Sequence, residues 1–188
     1  MDNGGARRVI PIILILIVIA IAIAAVVSIG QNIFSGGNQP EAINQGKVSL
    51  VNTAEDRSVR MTVRGPIVAD EIFNSYTITI KSTGRTMTTY NGYLDRQVET
   101  KQLLNNIPAY EQFVYALDRA AMMDGNELTG EANDLRGICA GGRVYEFETL
   151  RGTSTIKSLW TTTCDKTKGS LTTSSAVLQN LFHKQVPD

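Results

Sequence analysis

Between Val9 and Ile29 the chain reads VIPIILILIVIAIAIAAVVSI, an apolar run that contains no charged residue. A bilayer's hydrocarbon core is about 30 Å thick, and a helix of this length can cross it. A surface helix would carry a polar face, and this run is apolar all round, so it predicts a transmembrane helix over residues 9–29. Pro11 stands near its start, where a missing amide donor costs least. Arg7 and Arg8 precede the run, whereas the GQNIFSGGNQ that follows has neither Lys nor Arg. The basic flank stays in the cytoplasm, which orients the chain N-in and C-out. A cleaved signal peptide fits the same basic flank and the small residues Ala22, Ala24, Ala25 and Ser28. The length of the run favours a retained anchor, and both readings stand. Ala20, Ala24 and Ser28 form a small-residue stripe of the kind that lets membrane helices pack closely, although such stripes are common in spans.

The remaining organisation follows from this anchor. Residues 1–8 form a cytoplasmic N-terminus, and residues 30–45 read as a polar, glycine-containing flexible linker. Residues 46–188 have the size of one extracytoplasmic domain with one core. The chain has 18 basic and 18 acidic residues; without Asp2, Arg7 and Arg8 the remainder holds 16 and 17, a formal charge of −1. A duplex-binding surface needs a concentrated positive field, so nucleic acid is not an indicated partner.

Within the domain, periodicity predicts an α+β fold. Ser58 to Arg64 (SVRMTVR) alternates Val59, Met61 and Val63 against Arg60, Thr62 and Arg64, as a half-buried strand does. Tyr76 to Lys81 alternates again, turns through Ser82 to Arg85, and returns over Thr86 to Tyr90 as a hairpin. A helical stretch is expected from Gln97, with Leu103, Leu104 and Ile107 on one side. A restart is expected at Pro108, where Asn106 can cap and Pro108 suits the first turn. Tyr110, Phe113, Val114, Leu117, Ala120 and Ala121 continue at helical spacing, and Gly125 offers a stop. A second hairpin spans the region between Cys139 and Cys164, and a short helix runs from Ser174 or Ser175 to Lys184. An antiparallel sheet of one strand and two hairpins, with amphipathic helices packed on one face, accommodates this order.

Cys139 and Cys164 are the chain's two cysteines. If Arg151-Gly152 is the hairpin turn, Phe147 faces Ile156, Val144 faces Leu159, Glu146 faces Lys157 and Arg143 faces Trp160. Apolar then meets apolar and charge meets opposite charge, pairings worth roughly 0.2 to 1 kcal/mol each. The same register sets Cys139 opposite Cys164, in the position of a non-hydrogen-bonded pair close enough for a disulfide. Arg-Gly is not a favoured turn dipeptide, so a longer loop would shift this register, and Gly141-Gly142 offers a place for a bulge. An oxidising compartment permits the bond, and a loop of this length would contribute roughly 3 kcal/mol.

Chemistry is harder to find. A zinc site needs about four ligands, and the chain offers two cysteines and one histidine, His183. That histidine lies near the end of the last helix, where it serves as a solvated residue or a complement to the helix dipole. Asp124-Gly125-Asn126-Glu127 lacks the ligand spacing of a calcium loop. Gly141-Gly142 neither follows a strand nor opens a helix as a phosphate loop does. The serines and threonines have no general base beside them, and no nucleophile elbow is present. No catalytic residue and no cofactor is indicated. Arg57, Arg60, Arg64, Lys81 and Arg85 would form a basic binding patch for an anionic envelope polymer or lipid headgroup if their strands are neighbours. Solvated strand positions and edge protection explain the same charges.

The stretches VRMTVRGPIVADE, YTITI and TTYNGY, between Ser58 and about Gly125, resemble uncharacterised single-pass membrane proteins of Saccharibacteria-like small-genome bacteria. The resemblance implies a bacterial cell envelope and brings no chemistry with it. Type IV pilins also begin with an apolar helix, but their leader junction and the acidic residue inside the span are missing here. Three functions follow as expectations. The first is a membrane-anchored envelope domain that binds a protein or polymer partner, with the lipid bilayer holding its N-terminal helix. The others are a subunit of a larger membrane assembly and an enzyme with an unfamiliar site.

Overall fold

The structure is a computed structural model that describes residues 43–187, apart from residues 166 and 168. The expected cytoplasmic N-terminus, transmembrane helix and most of the linker lie outside the described residues. Among the described residues, no helix is long and apolar enough to cross a membrane.

Ten elements follow the chain. Helix α1 (Gln45–Leu50) precedes strands β1 (Arg57–Arg64), β2 (Asn74–Lys81), β3 (Gly84–Asn91) and β4 (Arg96–Leu104). Helix α2 (Ile107–Arg119), a 3-10 turn (Gly130–Asn133), the hairpin β5 (Val144–Arg151) and β6 (Ser154–Thr162), and helix α3 (Ser175–His183) complete it. The strands form one six-stranded sheet in the order β4-β3-β2-β1-β5-β6, with every neighbour antiparallel. The α+β expectation therefore holds, with helices on one face of an antiparallel sheet. β1 lies at the centre because β5, arriving late in the chain, pairs with its free edge and sets Arg60 opposite Glu148.

The alternation in β1 does what its period dictates. Val59, Met61 and Val63 are closed off from water and meet Ile78 and Ile80 of β2 and Tyr145, Phe147 and Leu159 of the second hairpin. Over them lie Tyr110, Phe113, Val114 and Leu117 of α2 and Leu178 and Phe182 of α3. Phe182 is the keystone of this layer: its ring stands edge-on to Phe113 at 5.3 Å and tilted against Phe147 at 6.1 Å, geometries that aromatic quadrupoles favour. Helix α2 starts as its sequence implies, with the Asn106 side chain accepting from the Ala109 amide at 2.9 Å. It stops before Gly125, because Ala121 takes a left-handed backbone at φ 58° and turns the chain at once.

Three expectations need correction. Residues 97–104 form an edge strand instead of a helix. In that form Lys101 and Leu103 face the helices while Thr100 and Gln102 face the other side, pairing with Thr88 and Thr86 of β3. The connection that makes this possible is the four-residue loop 92–95, closed by the Asn91–Arg96 pair, with Gly92 at φ 75° and Asp95 at φ 50°. The folded domain also begins slightly earlier than expected. Asn44 caps α1 through the Lys47 amide, and its own amide donates to the Met123 carbonyl at 2.8 Å.

The third correction concerns the register of the second hairpin. Its turn is Gly152-Thr153, one residue beyond Arg151-Gly152, with Gly152 at φ 57°. A bulge between Thr149 and Leu150 then leaves Ile156 without a direct partner. Phe147 consequently faces Leu159, Val144 faces Thr162, and Glu146 faces Trp160. Glu146 and Lys157 point to opposite faces. Lys157 instead extends under the helices, where its ammonium donates to Asn44 Oδ1, the Met123 carbonyl and the Gly125 carbonyl at 3.1, 2.9 and 3.0 Å.

Candidate functional site

The face of the sheet turned away from the helices is built of hydrogen-bonding side chains. Following the pairing across the strands, one row runs Thr100, Thr88, Thr77, Thr62, Glu146 and Trp160 from β4 to β6. The row beside it runs Gln102, Thr86, Thr79, Arg60, Glu148 and Ser158. β-branched threonines suit a pleated surface, and threonine pairs across strands add a small stabilisation. A single one-residue slip would send these residues into the core and the valines out, so the hydrophobic side of β1 fixes the composition of this open side.

Two cross-strand ion pairs stiffen the floor. Arg60 grips Glu148 with two bonds, Nε to Oε2 at 2.6 Å and a terminal nitrogen to Oε1 at 2.9 Å. Thr155 adds a third bond to that carboxylate. The Glu148 side chain is only 7 % exposed against 35 % for Arg60, so the carboxylate is the member that most needs its partner. The hydrogen bond to Glu148 raises the Arg60 pKa further above its ordinary value, and burial opposes it. Arg64 reaches Glu146 at 3.1 Å, and Ser158 donates to the other Glu146 oxygen.

Around this floor the loops rise into walls. A polar trough of about 400 Å³ opens over Arg60, Thr62, Thr77, Tyr90, Glu146 and Glu148. Beside it lies a mainly apolar pocket of about 380 Å³, walled by Ile67, Phe73, Tyr93, Leu135, Ile138 and Val144. Arg64 and Asp95 border both spaces. Tyr93 is held rigidly: its ring stacks on Phe73 at 4.1 Å, and its hydroxyl both donates to the Val68 carbonyl and accepts from the Val68 amide. Asp95 sits at φ 50°, a left-handed turn position that an aspartate tolerates better than most residues.

The second wall depends on the cysteines. Cys139 and Cys164 lie at disulfide distance, with Cα atoms 5.7 Å apart. They do so outside the strand ladder, since β5 begins only at Val144 and β6 ends at Thr162. The pairing was expected from a hairpin register that the structure does not have. What brings the sulfurs together is a tight return before β5, in which Gly142 lies so close that a Cβ there would meet Thr163 Oγ1 at 2.2 Å and the Cys139 sulfur at 2.8 Å. The loop so pinned also carries Asn133, which accepts from the Trp160 indole at 3.0 Å, and follows Glu127, which accepts from the Ser158 amide. Trp160 is thereby buried on the open side, against the 3-10 turn that carries Asn133.

The five basic positions do not make one patch. Arg57 and Arg85 point to the helix side: Arg57 donates to Ser49, and Arg85 donates to the carbonyls of Leu104 and Gln185. Arg60, Arg64 and Lys81 share the open face, where the first two are already engaged by glutamates. His183 shares a hydrogen bond of 3.0 Å with the Tyr76 hydroxyl. Burial raises the Tyr76 pKa. In the Asp124 to Glu127 segment, the Asp124 carbonyl holds Thr172, while the Glu127 carboxylate caps the β6 edge.

No protein-family model matches this chain, and no curated protein matches it.

Proposed function

We propose that this protein is a membrane-anchored extracytoplasmic binding domain of a bacterial cell envelope, and that its partner docks on the open face of the sheet. The observation that carries the reading is the walled polar trough beside an apolar pocket, with a floor held in place by two ion pairs. Concave sites that join an apolar wall to a few placed polar groups are where proteins hold ligands. The charge-free run from Val9 to Ile29, the arginines before it, and a cysteine pair at bonding distance support the placement outside the cytoplasm. The resemblance to single-pass proteins of small-genome bacteria supports the same compartment.

A photo-crosslinking residue in place of Thr77, on the trough floor, tests the face in intact cells. Glu111, exposed on α2, serves as the control position. Crosslinks from Thr77 and none from Glu111 are expected, whereas the reverse pattern would remove the assignment. An alkaline phosphatase reporter fused after Asp188 should be active, and an inactive, protease-protected reporter would place the domain in the wrong compartment.

A further inference from the structure

We propose that the trough and the apolar pocket together bind a neutral saccharide strand carrying an acetamido group, an inference that rests on the open face being the binding face.

The floor selects against ions. Both of its guanidiniums are held by glutamates at 2.6 to 3.1 Å, so an anion would have to displace carboxylates already in position. Thr62, Thr77 and Tyr90 line the trough, and their hydroxyls can both give and accept hydrogen bonds. That lining matches a polyhydroxylated neutral ligand. An extended peptide gains its affinity from main-chain groups, which a sheet presents at its edges and not on its face.

The pocket adds the second requirement. The Tyr93 ring has one side on Phe73 and is 47 % exposed, and the two bonds between its hydroxyl and Val68 hold it in place. A fixed aromatic surface of this kind receives the apolar face of a sugar ring. On the shared rim, the Arg64 guanidinium offers only donors and the Asp95 carboxylate offers acceptors. Asp95 forms no ion pair among the described residues. An acetamido substituent supplies what these neighbours lack: a methyl for Ile67, Ile138 and Val144, an N–H for Asp95, and a carbonyl for Arg64.

The test uses the full chain in lipid nanodiscs, titrated by calorimetry with chitotetraose and with cellotetraose, which has hydroxyls in place of the acetamido groups. Chitotetraose is expected to bind at least about tenfold more tightly. Ile67→Arg fills the pocket from a half-exposed position and should abolish that preference at an unchanged melting temperature. Asp95→Asn keeps a residue that accepts the left-handed turn and should weaken chitotetraose several-fold through loss of the charged acceptor. Equal affinity for the two tetrasaccharides would overturn the acetamido assignment, and undiminished binding by Ile67→Arg would overturn the pocket. If neither sugar binds while Thr77 still crosslinks a peptide partner, the saccharide class is wrong and the open-face reading survives. If neither sugar binds and Thr77 captures nothing, both fall.

Discussion

On β1, Val59, Met61 and Val63 turn toward α2 and α3 and are closed off from water, while Arg60, Thr62 and Arg64, each one residue away, turn toward a side that no helix covers. The helix side is held by apolar burial and aromatic packing. The open side is held by ion pairs, a row of threonines, and a loop fastened through Cys139 and Cys164. Because the second side needs no close-packed layer, it can keep a trough and a pocket that a packed interior would fill. The proposed function would therefore set stability and binding on opposite sides of the same strands, and substitutions on the two sides should separate them.

The largest effect is expected on the helix side. Phe147→Ala removes a ring that touches Phe182 and lies wholly out of solvent, and truncations of this kind cost about 3–5 kcal/mol. Thr77→Ala, on the opposite face, should stay within about 0.5 kcal/mol. Urea unfolding of both variants measures the contrast, and similar losses would erase it. Next comes the staple. Converting Cys139 and Cys164 together to Ser releases a closure spanning 25 residues and should lower stability by about 3 kcal/mol under oxidising conditions. Reduction of the unaltered protein should give the same loss, and no change with reductant would mean that packing alone holds this wall.

Two polar anchors follow in size, one on each side. Lys157→Met deletes the three hydrogen bonds that join β6 to Asn44 and to the carbonyls after α2; Met123 keeps the Asn44 amide as a donor while the Gly125 carbonyl loses the ammonium, with an expected loss of about 2 kcal/mol. Glu148→Ala strands Arg60, but that side chain reaches water, so the expected loss is about 1 kcal/mol. A double-mutant cycle on Arg60 and Glu148 would show whether their coupling exceeds that of Arg64 and Glu146, whose carboxylate is more exposed.

Which parts of this arrangement were readable from sequence depends on how far each signal reaches along the chain. The alternation in β1 and β2 and the cap and stripe of α2 are local, and each element appears where its own residues place it. β4 reads as a helix because Gln97 to Ile107 offers leucines at helical spacing, while the four-residue loop 92–95 that returns the chain carries no two-residue turn signature. α1 has only six residues, too short for a helical period to stand out. The hairpin register failed at a single residue, since Gly152 begins the turn and a bulge beside Leu150 absorbs the difference. The open-face site is the least legible part, because it depends on β1 meeting β5 across 88 positions to join Arg60 with Glu148. Arg57, Arg60, Arg64, Lys81 and Arg85 make one patch only if their strands are neighbours and their parity agrees; Arg60, Arg64 and Lys81 share a face, while strand parity sends Arg57 and Arg85 to the helix side.

The smallest effect lies in the wall of the open side and is best read by titration. Asp134 accepts from the Arg136 backbone amide at 3.0 Å and from Arg136 Nε at 2.9 Å, and the guanidinium beside it holds its carboxyl at about 2, below the ordinary 3.8. A depressed folded value means that the ionised form is favoured in the fold. Its stabilising contribution is therefore complete above pH 3.8 and is lost as the pH falls through about 2. Arg136 is almost fully exposed, so salt should screen the interaction, and the global unfolding midpoint should barely move with it. In Arg136→Ala, which keeps the backbone amide but loses the guanidinium, the Asp134 carboxyl carbon should titrate above 2 by NMR, moving toward 3.8, while Phe147 and Phe182 keep their chemical shifts. A midpoint that stayed near 2 would assign the shift to something other than the Arg136 guanidinium. Movement of the core resonances would show that the two sides of the sheet are coupled after all.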